Sequence, residues 1–215
     1  MYNITLLRHA ESEGNVDLRV QGHIDSPLTR FGLQQAETLA NRWKTENRLF
    51  DQILSSPLIR AKQTAEFIHR AISAPIELDP IWLERDMGGA ENMEYDDLSK
   101  FVSNPISRSP FHDAFGFGGE GQWKLYLRGS SALHSLLNKN HGSYLVINHG
   151  GLLNALMCSV IGLAPGAFGT GPRFLFQNAG FADLTYDPGR HQWTLERFND
   201  VAHLATQEST SGEPS

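Results

Sequence analysis

The chain has 215 residues, of which 40% are hydrophobic and 20% charged, a composition typical of one globular domain with a full core. Its net charge of −6 argues against a general nucleic-acid-binding protein, although a local cationic pocket could still bind a small anion. The one cysteine, Cys158, cannot form an internal disulfide, and we expect it to be a core thiol. No apolar run reaches the length of a membrane span and the first residues lack a signal-peptide pattern, so we expect a cytoplasmic protein without membrane partners.

The first half of the chain predicts strands that alternate with helices. Residues 3–7 and the segment "DQILSS" are short apolar runs of the kind found in buried strands. A helix with apolar residues at helical spacing follows Thr29, a suitable N-cap. A second helix is predicted through "PLIRAKQTAEFIHRA", with Pro57 in its first turn.

The second half continues this alternation and ends in strands. "IELD" and "GSYLVINHG" indicate strands, and the apolar helix "GLLNALMCSVIG" follows, closed by Gly162. "FADLTYD" and "QWTLERF" flank "PGRH" and predict a hairpin or adjacent edge strands. The whole pattern predicts an α/β fold, a three-layer sandwich with a mostly parallel sheet and helices on both faces.

Two segments depart from the alternation. Residues 92–130 are rich in Phe, Ser, Gly and Pro and lack helical periodicity until Trp123, which is typical of an inserted lid or of a loop-rich excursion. Residues 205–215 contain no apolar residue after Ala205, and we expect this tail to be disordered. Since no linker or repeat divides the remainder, residues 1–204 are predicted to form a single domain.

Cationic and imidazole side chains follow three of the predicted strands. The first strand runs into Arg8 and His9, "YLVIN" runs into His149 and Gly150, and "SSP" leads into a helix with Arg60 on its first turn. Ligand sites in open α/β sheets lie at the carboxyl ends of the strands. If these strands are neighbours, their positively charged side chains meet at one edge of the sheet, which is unfavourable unless an anion binds between them. Guanidinium forks, glycines and a helix N-terminus suit phosphate oxygens, so the pattern predicts a phosphate site.

Each of these residues taken alone has a structural explanation. A histidine at a strand end is more often structural, an arginine on a helix is usually a solvated surface group, and "HGG" can be a tight turn. The structural explanation does not predict the coincidence of several such residues at strand ends.

Several motifs together resemble the histidine phosphatase superfamily, the phosphoglycerate mutase-like proteins. "LLRHAESEGN" followed by "RVQGHIDSPLT" is similar to the opening signature of that family, and "DSPLTRFGLQQA" to the stretch that follows it. "SSPLIRAKQTAE", "LVINHGGLLNALM" and "FQNAGFADLTYD" are similar to its later signatures. The resemblance extends from about residue 3 to residue 186 and is weakest over residues 92–118.

The resemblance implies a catalytic role for five residues. By position, His9 would attack phosphorus and become phosphohistidine, while Arg8, Arg60 and His149 would hold the phosphoryl oxygens. Glu84, in "WLERDMGG", matches the family's general acid, which protonates the leaving alkoxide. Neighbouring cations would disfavour protonation of His9 and keep it a neutral nucleophile.

Further residues match positions that usually line the phosphate or substrate side of the family's pocket. These are Asn15, Arg19, Gln21, Gly22, Arg85 and Gly150. Asp86 and Glu91 are the alternative acids near Glu84. No cofactor and no metal is implied, and the nine histidines lack metal-ligand spacing such as H-E-x-x-H.

The sequence departs from the family pattern at three places. Ala10 stands where a glycine usually follows the histidine, and alanine is tolerable there if its φ is ordinary. "GGAENM" matches the end of the acid segment poorly, which puts substrate contacts there in doubt. Gly121 replaces a serine in the family pattern, and the neighbouring Glu120 could pair with Arg128 or with Arg8.

Two enzymatic outcomes and one binding role follow from this core. A mutase needs a strongly cationic lid, whereas residues 92–118 offer only Lys100 and Arg108, so a phosphatase acting on a small-molecule phosphate ester is favoured. The lid's phenylalanines, Phe101, Phe111 and others, suggest a substrate with an apolar or ring-bearing part, or they are core residues. A mutase is the runner-up, and a non-catalytic phospho-ligand adaptor is disfavoured because the nucleophile set is intact. The oligomeric state stays open, with a homodimer as one possibility.

Overall fold

The computed structural model describes residues 1–102, 111, 117–166 and 171–205, and in them a mixed six-stranded sheet forms the centre of an α/β fold. The strands are β1 (Tyr2–Arg8), β2 (Gln52–Ser55), β3 (Ile76–Leu78), β4 (Ser143–Asn148), β5 (Phe181–Asp187) and β6 (Gln192–Asp200). The helices are α1 (Glu13–Val16), α2 (Arg30–Thr45), α3 (Ile59–Ile72), α4 (Tyr95–Val102), α5 (Gln122–Leu137) and α6 (Gly150–Val160). Short 3₁₀ helices cover Pro80–Trp82, Gly88–Ala90 and Ala202–Leu204.

The strand order β3-β2-β4-β1-β5-β6 brings the three strands of the predicted phosphate site together. β3, β2, β4 and β1 pair in parallel, whereas β5 is antiparallel to β1 and β6 to β5. Arg8 pairs with Asn148, and Ser55 pairs with Ile147. The carboxyl ends of β1, β4 and β2 therefore meet at one edge of the sheet. This arrangement confirms the predicted α/β class and the predicted antiparallel pairing of the last two strands.

The sheet has a hydrophobic core on each face because successive side chains of its strands point to opposite sides. Leu6 and Val146 pack on the side of α5 and α6, and Leu7 and Ile147 pack on the side of α2 and α3 together with Trp43. All five are fully buried, and burying an aliphatic side chain contributes about 1.5–3 kcal/mol. The result is the predicted three-layer sandwich.

The helix ends follow local capping chemistry, with one difference from the sequence prediction. Thr29 caps α2, since its side chain accepts a hydrogen bond from Gly32 N, and Gly162 follows α6 with φ +71°. The sequence predicts Pro57 in the first turn of α3, but the N-cap is Leu58 and the proline precedes it. The carboxylate of Asp25 accepts from Ile59 N at 2.8 Å, so a side chain from another loop satisfies the first turn.

The described part of segment 92–130 contains α4 and the first half of α5. Leu125 of α5 is buried in the core that lies over α6, so the end of the segment belongs to a core helix. Phe111 stacks on Trp123 with ring centroids 5.7 Å apart. Residues 103–110, 112–116 and 206–215, together with the side chains of Lys100 and Phe101, lie outside the described residues. Among the helices that are described, none is long and apolar enough to cross a membrane.

Candidate active site

His9 is buried immediately after β1, and one hydrogen bond fixes its tautomer. Its Nδ1 lies 2.7 Å from the carbonyl oxygen of Ala10, and a carbonyl can only accept, so Nδ1 carries the proton of the neutral ring. The lone pair is then on Nε2, the nitrogen available to act as a nucleophile. Ala10 is fully buried and does not have a positive φ, so the alanine in place of the family's glycine introduces no backbone strain.

His149 is fixed in the opposite tautomer by Arg60. The Nε–H of Arg60 donates to Nδ1 of His149 at 3.1 Å, so the proton of the neutral His149 ring lies on Nε2. That Nε2 is buried and has no hydrogen-bond partner in the part of the chain that the structure describes. The rings of His9 and His149 are 5.1 Å apart, so the site places one ring with a free acceptor beside one with a free donor.

Burial and positive charge both keep these two rings neutral. The pKa of His9 lies well below its usual value, first because burial removes the charged form from water and then because Arg60 and Arg8 repel it. The pKa of His149 is lowered in the same way, by burial first and then by Arg60, His9 and Arg8. Near pH 7 the two imidazoles are therefore neutral. Burial is the larger cause for His9, and the neighbouring cations add to it.

Arg60 and Arg8 retain N–H groups that can bind an anion. Arg60 also donates from Nη1 to Ile24 O at 2.7 Å and from Nη2 to Gly22 O at 2.9 Å, which leaves two of its five N–H groups. Arg8 donates from Nη1 to Phe176 O at 2.7 Å, while its buried Nε has no partner within the described residues. Gly22 has φ +49°, a conformation that suits glycine and aims its carbonyl at Arg60.

Asn15 offers a third kind of donor at the same end of the site. Its Oδ1 accepts from Ser12 N and from Asn178 Nδ2, each at 3.1 Å, so these two residues determine which way the amide faces. The Nδ2 group of Asn15 is then available to a ligand. Gln21 lies alongside, and its Oε1 accepts from the Ser12 hydroxyl at 2.9 Å. The polar end of the site consequently presents donors from arginine, histidine and amide groups.

Glu84 is held at the N-terminus of α6, next to this donor cluster. Its Oε2 accepts from Gly151 N at 3.0 Å, and its Oε1 accepts from Leu152 N at 3.1 Å and from Arg85 N at 2.7 Å. A helix N-terminus stabilises a carboxylate in this position. The side chain is therefore fixed by backbone donors rather than by another ionised side chain.

Arg128 holds the backbone of the segment that ends at Glu84. Its guanidinium donates to the carbonyl oxygens of Ile81, Leu83 and Glu84 at 2.9, 2.7 and 3.1 Å. It also forms a bidentate pair with Glu120 at 2.8 and 2.6 Å. Of the two partners that the sequence left open for Glu120, the structure shows Arg128.

These groups surround a cavity of about 490 Å³. Nine of the predicted site residues line it: Arg8, His9, Asn15, Gln21, Gly22, Arg60, Glu84, Arg85 and Gly150. His149 is not among the lining residues, but it accepts from Arg60 and its ring lies beside that of His9. The structure therefore brings together ten of the eleven predicted residues.

Arg19 is the exception, since it does not line the cavity. Its Nη1 donates to Asn92 O at 2.7 Å, and its Nη2 lies 3.6 Å from the carboxylate of the exposed Glu94. The alternative acids are also occupied elsewhere. Asp86 accepts from Gly88 N, and Glu91 accepts from His23 N, and neither lines the cavity.

The cavity is also lined by residues that the sequence did not single out. They include Tyr95, Gln122, Tyr126, Asn154 and Arg173. Gln122 and Tyr126 lie one turn apart on α5, and Asn154 lies one turn after Gly150 on α6, so helical spacing from a known site residue could have identified Asn154. Arg173 carries no comparable signal. Across the described residues, no group of three or more His, Cys, Asp or Glu side chains could hold a metal ion.

Similarity to known proteins extends over nearly the whole chain. A sequence model described as "Histidine phosphatase superfamily (branch 1)" matches residues 4–201. A relative from Proteus mirabilis (strain HI4320), named "Probable phosphoglycerate mutase GpmB", is 34% identical over 212 residues, 95% of each chain. The structure of "Bacillus stearothermophilus YhfR" has a TM-score of 0.81 and 25% identity over 95% of this chain and 100% of that one. The α-ribazole phosphatase from Shigella flexneri has a TM-score of 0.77 and 26% identity, covering 92% and 96%.

Proposed function

Because the chain belongs to the histidine phosphatase superfamily, we propose that it hydrolyses small-molecule phosphate monoesters through a phosphohistidine on His9, without a metal ion. The observation that carries this proposal is the pair of opposite tautomers. His9 keeps its lone pair on Nε2 while His149, 5.1 Å away between ring centroids, keeps a proton on its Nε2. A neutral nucleophile beside a neutral donor and two guanidiniums is the arrangement that attack on a phosphate needs.

In the proposed first step, His9 Nε2 attacks phosphorus while the bond from phosphorus to the ester oxygen breaks. Arg8, Arg60 and His149 donate to the non-bridging oxygens, whose charge they stabilise. Glu84 enters this step as the carboxylic acid, with its proton on Oε2, the oxygen that accepts only one N–H group, and gives that proton to the leaving alkoxide. In the second step water attacks the phosphohistidine and Glu84 accepts its proton. Inorganic phosphate leaves, and His9 returns to its neutral form.

The test is hydrolysis of p-nitrophenyl phosphate in the presence of EDTA by the wild type, His9→Ala and His134→Ala. His134 lies on the exposed face of α5 and serves as the matched control. We expect turnover in the wild type and the control, loss in His9→Ala, and a phosphorylated His9 peptide after rapid acid-free quenching and mass spectrometry. Turnover that survives in His9→Ala, or that EDTA abolishes, would overturn the proposal.

Mutase activity is the second candidate, because the Proteus mirabilis relative carries a mutase name. Arg85 and Arg173 also line the cavity, so a second anionic group on a substrate would find cations there. The discriminating assay supplies 3-phosphoglycerate with catalytic 2,3-bisphosphoglycerate and measures 2-phosphoglycerate and inorganic phosphate together. A phosphatase releases phosphate and forms little isomer, whereas a mutase forms isomer faster than it releases phosphate.

A further inference from the structure

Residues other than the phosphate-binding groups also line the cavity, and we call this set the distal subsite. It includes Tyr95, Leu98, Gln122, Tyr126, Asn154 and Arg173. These residues come from α4, α5, α6 and the segment before β5, so the subsite forms only in the folded chain. With about 490 Å³ in total, the cavity is in the size range that encloses ligands much larger than a phosphate group.

The two amides of the distal subsite both present N–H groups to a ligand. The Oδ1 of Asn154 accepts from Phe174 N at 2.8 Å, so its NH₂ group is the part left for a ligand. The Oε1 of Gln122 accepts from Arg85 Nη2, which leaves the NH₂ group of Gln122 in the same position. Together with the guanidinium of Arg173, the subsite is rich in donors.

Negative charge to balance a cationic ligand is missing from the described lining. Glu84 is the one carboxylate among those residues, and its two oxygens already accept from three backbone N–H groups. An ammonium group entering the subsite would lose water, would find the oxygens of Glu84 already engaged by backbone N–H groups, and would be repelled by Arg173 and Arg85.

Apolar surface completes the distal subsite. Leu98 and Ala155 are 6% exposed, Phe176 is 3% exposed, and all three line the cavity. Aromatic rings of Tyr95 and Tyr126 add flat surface with a hydroxyl at the end. Such walls stabilise a bound ring by removing its surface from water.

We propose that the distal subsite binds the alcohol part of the substrate, and that this part is a ring-sized, non-cationic group with oxygen acceptors such as ether, hydroxyl or carbonyl oxygens. This inference rests on the proposed phosphatase function, because it assumes that the phosphoryl group occupies the donors around His9. Phosphate esters of amino alcohols are excluded as good substrates by the same reasoning.

The first test compares 2-phenoxyethyl phosphate with phosphoethanolamine. Both are phosphate esters of 2-substituted ethanols, so the alcohol substituent is the main difference between them. We expect kcat/KM to be at least about tenfold higher for the phenoxy ester, from burial of its ring. Equal values, or a preference for phosphoethanolamine, would overturn the inference.

The second test adds a negative charge to the subsite with Asn154→Asp. The substitution keeps an oxygen to accept from Phe174 N and replaces the NH₂ group with a second carboxylate oxygen. The ratio of kcat/KM values should move several-fold toward phosphoethanolamine. Asn41→Asp, on the exposed face of α2, adds the same charge elsewhere and should leave the ratio unchanged. An unmoved ratio in a folded Asn154→Asp would contradict the placement of the alcohol.

A binding experiment separates this inference from the phosphatase proposal. Calorimetry with 2-phenoxyethylphosphonate and 2-aminoethylphosphonate needs no turnover, since the carbon–phosphorus bond is not cleaved. Tighter binding of the phenoxy compound by at least about tenfold supports the distal subsite even if no ester is hydrolysed. Hydrolysis of esters with equal binding of the two phosphonates would leave the phosphatase function standing and refute the subsite.

Discussion

Gly151→Ala should disable Glu84 without removing it. An ideal Cβ at residue 151 would lie 2.5 Å from Glu84 Oε1 and 3.2 Å from its Cδ, whereas ordinary contacts begin at 3.4 Å. The backbone of Gly151 is helical, so alanine brings no strain of its own. The carboxylate must therefore retreat by about 0.9 Å and weaken its hydrogen bonds to Gly151 N and Leu152 N.

The size of the effect follows from that displacement. A misplacement of about 1 Å costs a catalytic group roughly 10²-fold in rate, and a general acid contributes about 10²–10⁴-fold in all. We therefore expect kcat for an alkyl phosphate to fall about 10²-fold. For p-nitrophenyl phosphate, whose leaving group needs no proton, the fall should be less than about fivefold.

The assay is steady-state hydrolysis of both esters by the wild type, Gly151→Ala and Gly129→Ala. Gly129 is the matched control, since its ideal Cβ would lie 3.5 Å from the Cβ of Ala155, an ordinary contact. In the double variant with Glu84→Gln, the two losses should not add, because both remove the same proton donor. Equal slowing of both esters by Gly151→Ala, or additive losses, would refute the role of Glu84 as general acid.

Three further outcomes are expected. In Arg60→Lys, the lysine cannot donate at once to His149 Nδ1 and to the two carbonyl oxygens that the arginine reaches. We therefore expect kcat/KM to fall at least about 10²-fold, and ¹⁵N NMR should show that His149 no longer has a single tautomer. The wild-type NMR spectrum should show His9 protonated on Nδ1 at pH 7. Burial lowers the pKa of His203 to about 4, below the usual 6.5, so folding disfavours its protonation and stability should decrease as the pH falls from 6.5 toward 4, by up to about 3 kcal/mol. Urea unfolding of His203→Gln should show a smaller slope over this range, and the part that remains comes from the buried His9 and His149. The lowered pKa of Asp200, due first to its hydrogen bond with Arg42, costs stability only below about pH 4.

The sheet and the residues predicted to bind phosphate could be identified because the sequence patterns that indicate them are local. Arg8 and His9 directly follow an apolar run, and so does His149, and parallel neighbours align such strand ends automatically. Arg60 could be predicted because it lies in the first turn of the helix that follows β2. No long-range information was needed beyond the assumption that the strands are adjacent.

The distal subsite and the direction of Arg19 depend on tertiary packing and could not be predicted in this way. Tyr95 and Arg173 are far apart in sequence and reach the cavity from unrelated segments. Arg19 follows α1, a single-turn helix, and Leu18 before it has φ +51°. That left-handed residue turns the chain, and Arg19 then pairs with Glu94 rather than with a ligand.

The position of β1 between β4 and β5 has a consequence for how the protein acquires its activity. Asn3 pairs with Ser143 on one side and with Thr185 on the other, so the strand that ends at His9 gains both neighbours only after most of the chain has been made. Pairings of this sequence separation slow folding. A ribosome-bound chain that ends before Phe181 leaves one edge of β1 open for pairing with other chains. Assembly of the strand that precedes His9 is thus a late event in biosynthesis.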